Sequence, residues 1–222
     1  MTDALSKSTV RHLYDAAAHR YDLQHALITM HSDQRGRRMV VELGVQEPDH
    51  VLDAGGGTGL TGMLAARKVG PEGTVTVFDL SETTLEEARA KAERAGLAAR
   101  MKFTVGDMLA LPYPDASFDA VLSTYSLCPL YDPAMGALEL YRVLKPGKLL
   151  AAAHSTVPAS TPVRLLADCV EGVVSRLHWL SLGCRPVEVL PALLGAGAQL
   201  IASRRIGVPL WPFLVFVVRK PA

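Results

Sequence analysis

The sequence predicts a doubly wound α/β fold: a mostly parallel sheet of seven strands preceded by a helical N-terminal segment. Three observations lead there. From His50 onward, short apolar runs alternate with helix-length amphipathic segments, the pattern of a parallel sheet wrapped by helices. The first apolar run, Val51–Ala54, leads directly into Gly55-Gly56-Gly57-Thr58-Gly59 and then a helix. Aspartates stand at the ends of the next two runs, Asp79 and Asp107, at the edge where open parallel sheets bind ligands.

In chain order, residues 1–48 read as helical. Val10, Leu13, Tyr14, Ala17 and Tyr21 recur at helical spacing behind Ser8 or Thr9 as N-cap. A second helix is expected from Asp33 to Leu43, stopped by Gly44. Residues 49–155 form the core. Its strands are Val51–Ala54, Thr74–Phe78, Met101–Val105, Phe118–Ser123 and Leu149–Ala153. Helices fall near Leu60–Lys68, after Ser81 as N-cap with Gly96 closing the far end, and near Pro133–Leu144, stopped by Lys145-Pro146-Gly147. Residues 156–222 are looser. An apolar helical stretch covers Val163–Leu182, a short helix covers Val187–Leu194, and Gln199–Ile206 and Trp211–Arg219 read as an antiparallel pair closing the sheet. With no repeat and no linker, the 222 residues make one domain, large enough to bury about 70% of the unfolded surface.

Lys+Arg is 23 and Asp+Glu 22, a net charge of +1, which argues against a nucleic-acid partner. The chain is 49% hydrophobic and 20% charged, which excludes disorder. Three cysteines without a CxxC fit a reducing compartment. The polar start MTDALSKSTV gives no signal peptide, and the apolar run Pro209–Val218 is too short to span a bilayer, so a cytoplasmic protein is expected. Five of the seven histidines, His12, His19, His25, His31 and His50, lie in or beside the N-terminal segment. None is spaced i, i+4 from another, so no metal site is expected, and they read as exposed helix residues.

The glycine loop removes side chains where a ligand backbone must come close. It is not a P-loop, since no Gly-Lys-Ser/Thr follows, and a dinucleotide fingerprint starting at Gly55 would need glycine where Leu60 stands. Asp79, 24 residues after Gly55, suits a pair of ribose hydroxyls, and Asp107 suits the exocyclic amine of an adenine.

With these residues in place, the segment from Val51 to about Ala153 resembles a class I S-adenosylmethionine-dependent methyltransferase, with its Rossmann-like methyltransferase fold. The resemblance rests on VLDAGGGTG, VFDLSE, GDMLALPYPDASFDAVLS and YRVLKPGKLL. The doublets Tyr14-Asp15 and Tyr21-Asp22, with GGTG in the loop, are further similar to the ubiquinone/menaquinone C-methyltransferase group. The resemblance implies S-adenosylmethionine as cofactor. It implies that Asp53, Gly55, Gly57 and Gly59 cradle the methionine part, that Asp79 takes the ribose and Leu80 packs on the adenine, and that Asp107 and Met108 hold the adenine edge and face. The N-terminal helices become a lid from which Tyr21 reaches the cofactor, and Ser123 joins the cofactor site.

The acceptor implied is small and lipophilic, such as a quinone precursor, walled by Val163–Leu182. Peripheral membrane contact and oligomeric state stay open. A base is needed only where the acceptor must lose a proton, and the candidates are Tyr125 after strand four and His154 at the end of strand five. Where quinone methyltransferases tend to carry an arginine–asparagine pair, this chain reads Ser126-Leu127-Cys128-Pro129-Leu130. Thiol, phospholipid-amine or arsenite methylation therefore stays open, as does a non-catalytic cofactor-binding module. Cys128 and Cys184, 56 residues apart, read as buried small hydrophobes with no obligatory part in catalysis, and Cys169 is the third thiol.

Overall fold

The structure is a computed structural model that describes residues 6–165, 167 and 184–222. The expected stretch Val163–Leu182 lies almost wholly outside the described residues.

Three helices, α1 (Lys7–Ala17), α2 (Tyr21–Ile28) and α3 (Ser32–Gly44), precede the sheet where two were expected. Ser6, and neither Ser8 nor Thr9, caps α1, its hydroxyl accepting from Thr9 N–H at 3.2 Å. The chain turns between α2 and α3 through Met30 and His31, both with positive φ. Neither residue is a usual turn signal, and that concealed the break.

The core then follows the expected order: β1 (His50–Ala54), α4 (Leu60–Lys68), β2 (Thr74–Asp79), α5 (Glu82–Arg94), β3 (Met101–Val105), β4 (Phe118–Thr124), α6 (Pro133–Val143) and β5 (Leu144–Ser155). Lys145-Pro146-Gly147 ends α6 from inside β5. Phe118 pairs with Leu144 and Ala120 with Leu149, so the intervening residues bulge out of the ladder, where a proline's missing N–H costs nothing. The chain closes with α7 (Leu190–Gly195), β6 (Gln199–Val208) and β7 (Trp211–Arg219). α7 begins at Leu190, later than expected, with Pro191 in its first turn.

The sheet order is β3-β2-β1-β4-β5-β7-β6. β1 to β5 run parallel, and β7 inserts antiparallel between β5 and β6. Alternate residues feed two cores, as a two-residue period requires. Val51, Val77 and Leu122 pack with Val40 and Val41 of α3, Met63 of α4 and Leu85 of α5. Leu52, Phe78 and Val121 pack with Leu140 of α6 and Leu193 of α7. Strand order reverses at β1 and β4, which puts a crevice at their carboxyl ends. Among the described residues no helix is long and apolar enough to cross a membrane.

Candidate active site

Beyond the carboxyl ends of β1 to β4 lies a cleft lined by the glycine loop, Asp79, Asp107 and Tyr125, a concave site of the kind that small molecules occupy. Its floor is the glycine loop. The N–H groups of Gly55 and Gly56 both donate to Phe78 O, at 2.7 and 3.1 Å, which pins the loop to β2. Gly55 has φ +67°, and a Cβ there would sit 2.2 Å from Ser126 Cβ. At Gly57 a Cβ would meet, among the described residues, nothing nearer than Asp79 Oδ2 at 4.0 Å, so the loop is open to the cleft at that point.

Asp79 ends β2 on the cleft wall. Gly57 N–H donates to its Oδ2 at 2.8 Å, and Ser81 N–H and Thr84 Oγ1 donate to Oδ1 at 2.9 and 3.4 Å. Burial raises its pKa while these bonds pull it down. The Leu80 N–H adds to these, but the Thr84 contact is long and its hydroxyl also reaches Ser81 O at 3.0 Å, so a ligand hydroxyl can take its place on Asp79. Leu80 and Phe78 stand beside it, and Asp107 and Met108 form the wall at the end of β3. Asp107 Oδ1 accepts from Leu109 N–H at 3.0 Å, and its Oδ2 lies 2.8 Å from Lys7 Nζ on α1. A nucleoside fits these groups: a carboxylate for its ribose, an acidic edge for its amine, apolar surface for its base.

Other expected residues sit elsewhere. Asp53 is fully buried under the glycine loop and does not line the cleft. A Cβ on Gly56 would come within 2.8 Å of its Oδ2. Among the described residues neither oxygen meets a donor in good hydrogen-bond geometry, and burial raises the pKa to about 7 against the opposing pull of the Arg37 charge and the Gly62 N–H. Gly59 abuts α5, where a Cβ would press on Ala88 at 2.8 Å. Ser123 is buried and shares a hydrogen bond with Ser126 Oγ at 2.7 Å. His154 is 1% exposed, packs edge-on against Phe216 and donates from Nδ1 to Ser155 O at 2.9 Å. Burial lowers its pKa, and it lines neither this cleft nor the cavity behind it.

α1 and α2 roof the cleft through Val10, Arg11, Tyr14 and Tyr21. The aspartates of the two Tyr-Asp doublets hold the roof down. Asp15 accepts from Ser81 Oγ, the cap of α5. Asp22 accepts from Thr58 Oγ1 at 2.6 Å and pairs with Lys91.

Behind Tyr14, Tyr21 and Tyr125 lies a second, narrower cavity, lined also by His25, Trp211 and Phe213. All three tyrosines face both spaces. Their rings interlock: Tyr14 to Tyr21 at 5.7 Å, Tyr21 stacked on His25 at 5.3 Å, His25 to Tyr125 at 5.2 Å, Tyr125 edge-on to Phe213 at 4.8 Å. Tyr125 has φ +61°, a strained backbone for a bulky residue. Its hydroxyl donates to Asp33 O at 3.2 Å, and burial raises its pKa, so it stays protonated.

His25 departs from the expectation of exposed helix histidines, its side chain being only 13% exposed. Its Nδ1 is 3.2 Å from Asp33 Oδ2. Asp33 feels burial raising its pKa, but His25, Thr29 and Arg37 outweigh this and hold it at about 2. Arg37 spans the layer beneath, donating to Thr61 Oγ1 at 3.0 Å and Thr124 Oγ1 at 2.9 Å, with its guanidinium 5.3 Å from the Tyr125 ring centre. Neither Asp33 nor Arg37 was distinguishable from an ordinary helix residue in the sequence. Nearby, the Cys184 thiol donates to Tyr125 O at 3.9 Å, and its proximity lowers the Cys128 pKa while its own rises. Among the described residues no three His, Cys, Asp or Glu side chains gather as metal ligands.

Seven strands in this order, an antiparallel β7 and a lidded cleft over a glycine loop define a Rossmann-like methyltransferase fold, a class that carries S-adenosylmethionine as cofactor. The chain belongs to the ubiE/COQ5 methyltransferase family, whose model matches residues 1–164. It is 30% identical over 160 residues to the ubiquinone/menaquinone biosynthesis C-methyltransferase of Escherichia coli and to that of Shigella boydii, a match covering 72% of this chain and 64% of each relative. Among solved structures it is similar in fold to the [4+2]-cyclase SpnF, with TM-score 0.69 and 21% identity over 87% of this chain and 82% of that one. It is also similar to a SAM-dependent methyltransferase from Aquifex aeolicus, with TM-score 0.58 and 22% identity over 82% and 88%. A third is the geranyl diphosphate C-methyltransferase of Streptomyces coelicolor in complex with S-adenosylhomocysteine, with TM-score 0.68 and 16% identity over 84% and 79%.

Proposed function

We propose that the chain transfers the methyl group of S-adenosylmethionine to a small, apolar, ring-shaped acceptor such as a quinone precursor. Bound S-adenosylmethionine supplies a methyl group already activated on a sulfonium, so the protein has mainly to align the partners. In this reading Asp79 accepts from the ribose hydroxyls, Asp107 accepts from the adenine amine, and Leu80 and Met108 cover the adenine faces. Gly55 and Gly57 admit the methionine part over the loop, Tyr21 closes it from the lid, and Gly59, Ser123 and Asp53 support the loop from behind. Tyr125 shapes the wall between cofactor and acceptor. His154 has no part in the reaction.

The single observation that carries the acceptor is the aromatic cavity sharing Tyr14, Tyr21 and Tyr125 with the cofactor cleft. Flat apolar walls select a flat apolar ligand. The names of the family relatives favour a quinone precursor among such rings. The test is methyl transfer from radiolabelled cofactor to hydroxylated arenes, an apolar lipid extract, thiols, arsenite and RNA. Label in the arenes or the extract is expected. Label confined to RNA, thiols or arsenite would overturn the acceptor class, and cofactor binding without transfer to any of them would leave a binding module.

A further inference from the structure

We propose that the chain docks on an anionic phospholipid bilayer through the outer face of α2, the helix that walls the second cavity. This surface lies outside both ligand spaces, so the proposal goes beyond the methyl-transfer reading and does not depend on it.

α2 is apolar on both sides. Its inner side, with Tyr21 and His25, faces the second cavity. Leu23 and Leu27, one turn apart, and Met30 just past the helix end are 68%, 63% and 72% exposed. The one carboxylate of the helix, Asp22, is held by Thr58 and Lys91, so the outward stripe carries no charge. A helix that faces only water is built differently: α5 exposes Glu82, Glu86, Arg89, Glu93 and Arg94. The apolar surface continues beyond α2. Ile28 is exposed and shares the second cavity with Trp211, whose neighbour Leu210, in the turn between β6 and β7, is exposed too. Large apolar side chains gathered in this way mark an interaction surface.

The occupant is indicated by charge. Arg20 stands at the start of α2, and Arg35 and Arg38 follow on α3, all three exposed. Arg35 and Arg38 share a groove with the exposed Arg204 of β6. None of these four guanidiniums has an acid partner among the described residues, Glu42 of the same groove included. An apolar stripe flanked by unpaired arginines matches a layer that is apolar inside and anionic at its rim. The leucines enter the boundary of the acyl chains and the guanidiniums meet phosphates. A second copy of the chain laid face to face on this surface would instead bring arginines against arginines. Docked in this way, the chain holds the second cavity one helix away from the lipid, and an apolar ligand reaches it from the bilayer with little exposure to water.

Flotation of the full chain with lipid vesicles tests this, with no cofactor or acceptor present. The wild type is expected to float with vesicles of phosphatidylcholine mixed with phosphatidylglycerol, and much less with phosphatidylcholine alone. The Leu23→Gln/Leu27→Gln variant should lose about ten-fold or more in partition onto the mixed vesicles. The Arg35→Gln/Arg38→Gln variant should lose roughly five-fold for each guanidinium, on the mixed vesicles only. Both variants should keep their affinity for S-adenosylhomocysteine, which shows that the fold is intact. Equal flotation of the wild type and the leucine variant would remove the stripe from the surface. If that variant does not fold, the wild type alone decides: no flotation with anionic vesicles, or no loss of it in high salt, overturns the proposal. A dimer in sedimentation equilibrium that the leucine variant dissociates assigns the stripe to a second copy and also overturns it. The reaction is tested apart: flotation without methyl transfer leaves the docking standing, and transfer without flotation leaves the reaction and ends the docking.

Discussion

Asp22 of α2 and Thr58 of the glycine loop are joined by a hydrogen bond of 2.6 Å, and the same carboxylate meets Lys91 of α5. Lid, loop and the helix after β2 are thus tied at one side chain. Asp22→Ala frees the lid from the loop. The side chain is partly exposed, so the loss is held to about 1 kcal/mol, roughly five-fold in affinity for S-adenosylhomocysteine. Calorimetry checks this, and an unchanged dissociation constant in folded protein would separate the lid from cofactor binding.

Asp79→Ala removes the proposed acceptor of the ribose hydroxyls and the anchor of Gly57 N–H together. A hydrogen bond to a charged group contributes about 1.5–3 kcal/mol, so affinity for S-adenosylhomocysteine should fall roughly 10- to 150-fold. Adenosine should lose as much, since the lost contact is to the nucleoside. A loss seen only with the amino-acid tail would place Asp79 elsewhere in the site.

Gly55 and Gly147 both have positive φ, at +67° and +77°, but only Gly55 is crowded. Alanine at Gly147 meets nothing within 4 Å among the described residues and should cost roughly 1–2 kcal/mol of strain with no change in ligand binding. Alanine at Gly55 meets Ser126 and Met108 as well and should cost more, with binding lost. Chemical denaturation and calorimetry on the two variants check the contrast. Equal effects would mean that backbone strain alone governs the loop.

Asp53 predicts an alkaline weakness. Its ordinary pKa is 3.8 and burial raises it to about 7 in the fold. Between those values the unfolded chain has lost the proton that the folded chain keeps, so stability falls as pH rises through that window. Asp53→Asn removes the titration and should stabilise the free protein at pH 8 by about 1–3 kcal/mol, with little change at pH 4. Denaturant melts at both pH values decide it, and equal effects at both would show that the carboxyl is not the titrating group.

The parts of this fold that were legible in the sequence are those set by local rules. Glycine and proline punctuate the core, so α4 and β3 fall at Leu60–Lys68 and Met101–Val105 as expected, and Ser81 caps α5. The lid was read less well because the α2–α3 turn uses Met30 and His31 against their backbone preference. The cleft was legible because its loop and its carboxylates sit at strand ends. The second cavity was not, because it joins residues from α1, α2, the loop after β4, β5 and β7, which only the tertiary fold brings together. His25 and Asp33 are eight positions apart on separate helices, and a pattern search along one helix passes over them. For the same reason Cys128, with no charge near it in sequence, finds its pKa partner in Cys184.

Tyr14, Tyr21 and Tyr125 form a party wall with a ligand space on each side. If a ring shifts to suit one occupant it changes the room left to the other, and two occupancies would then be thermodynamically linked. Linkage is reciprocal: whatever factor the cofactor applies to acceptor affinity, the acceptor applies to cofactor affinity. In the proposed reading, with cofactor on one side and acceptor on the other, methyl transfer changes both occupants, and the departure of one product alters the affinity for the other.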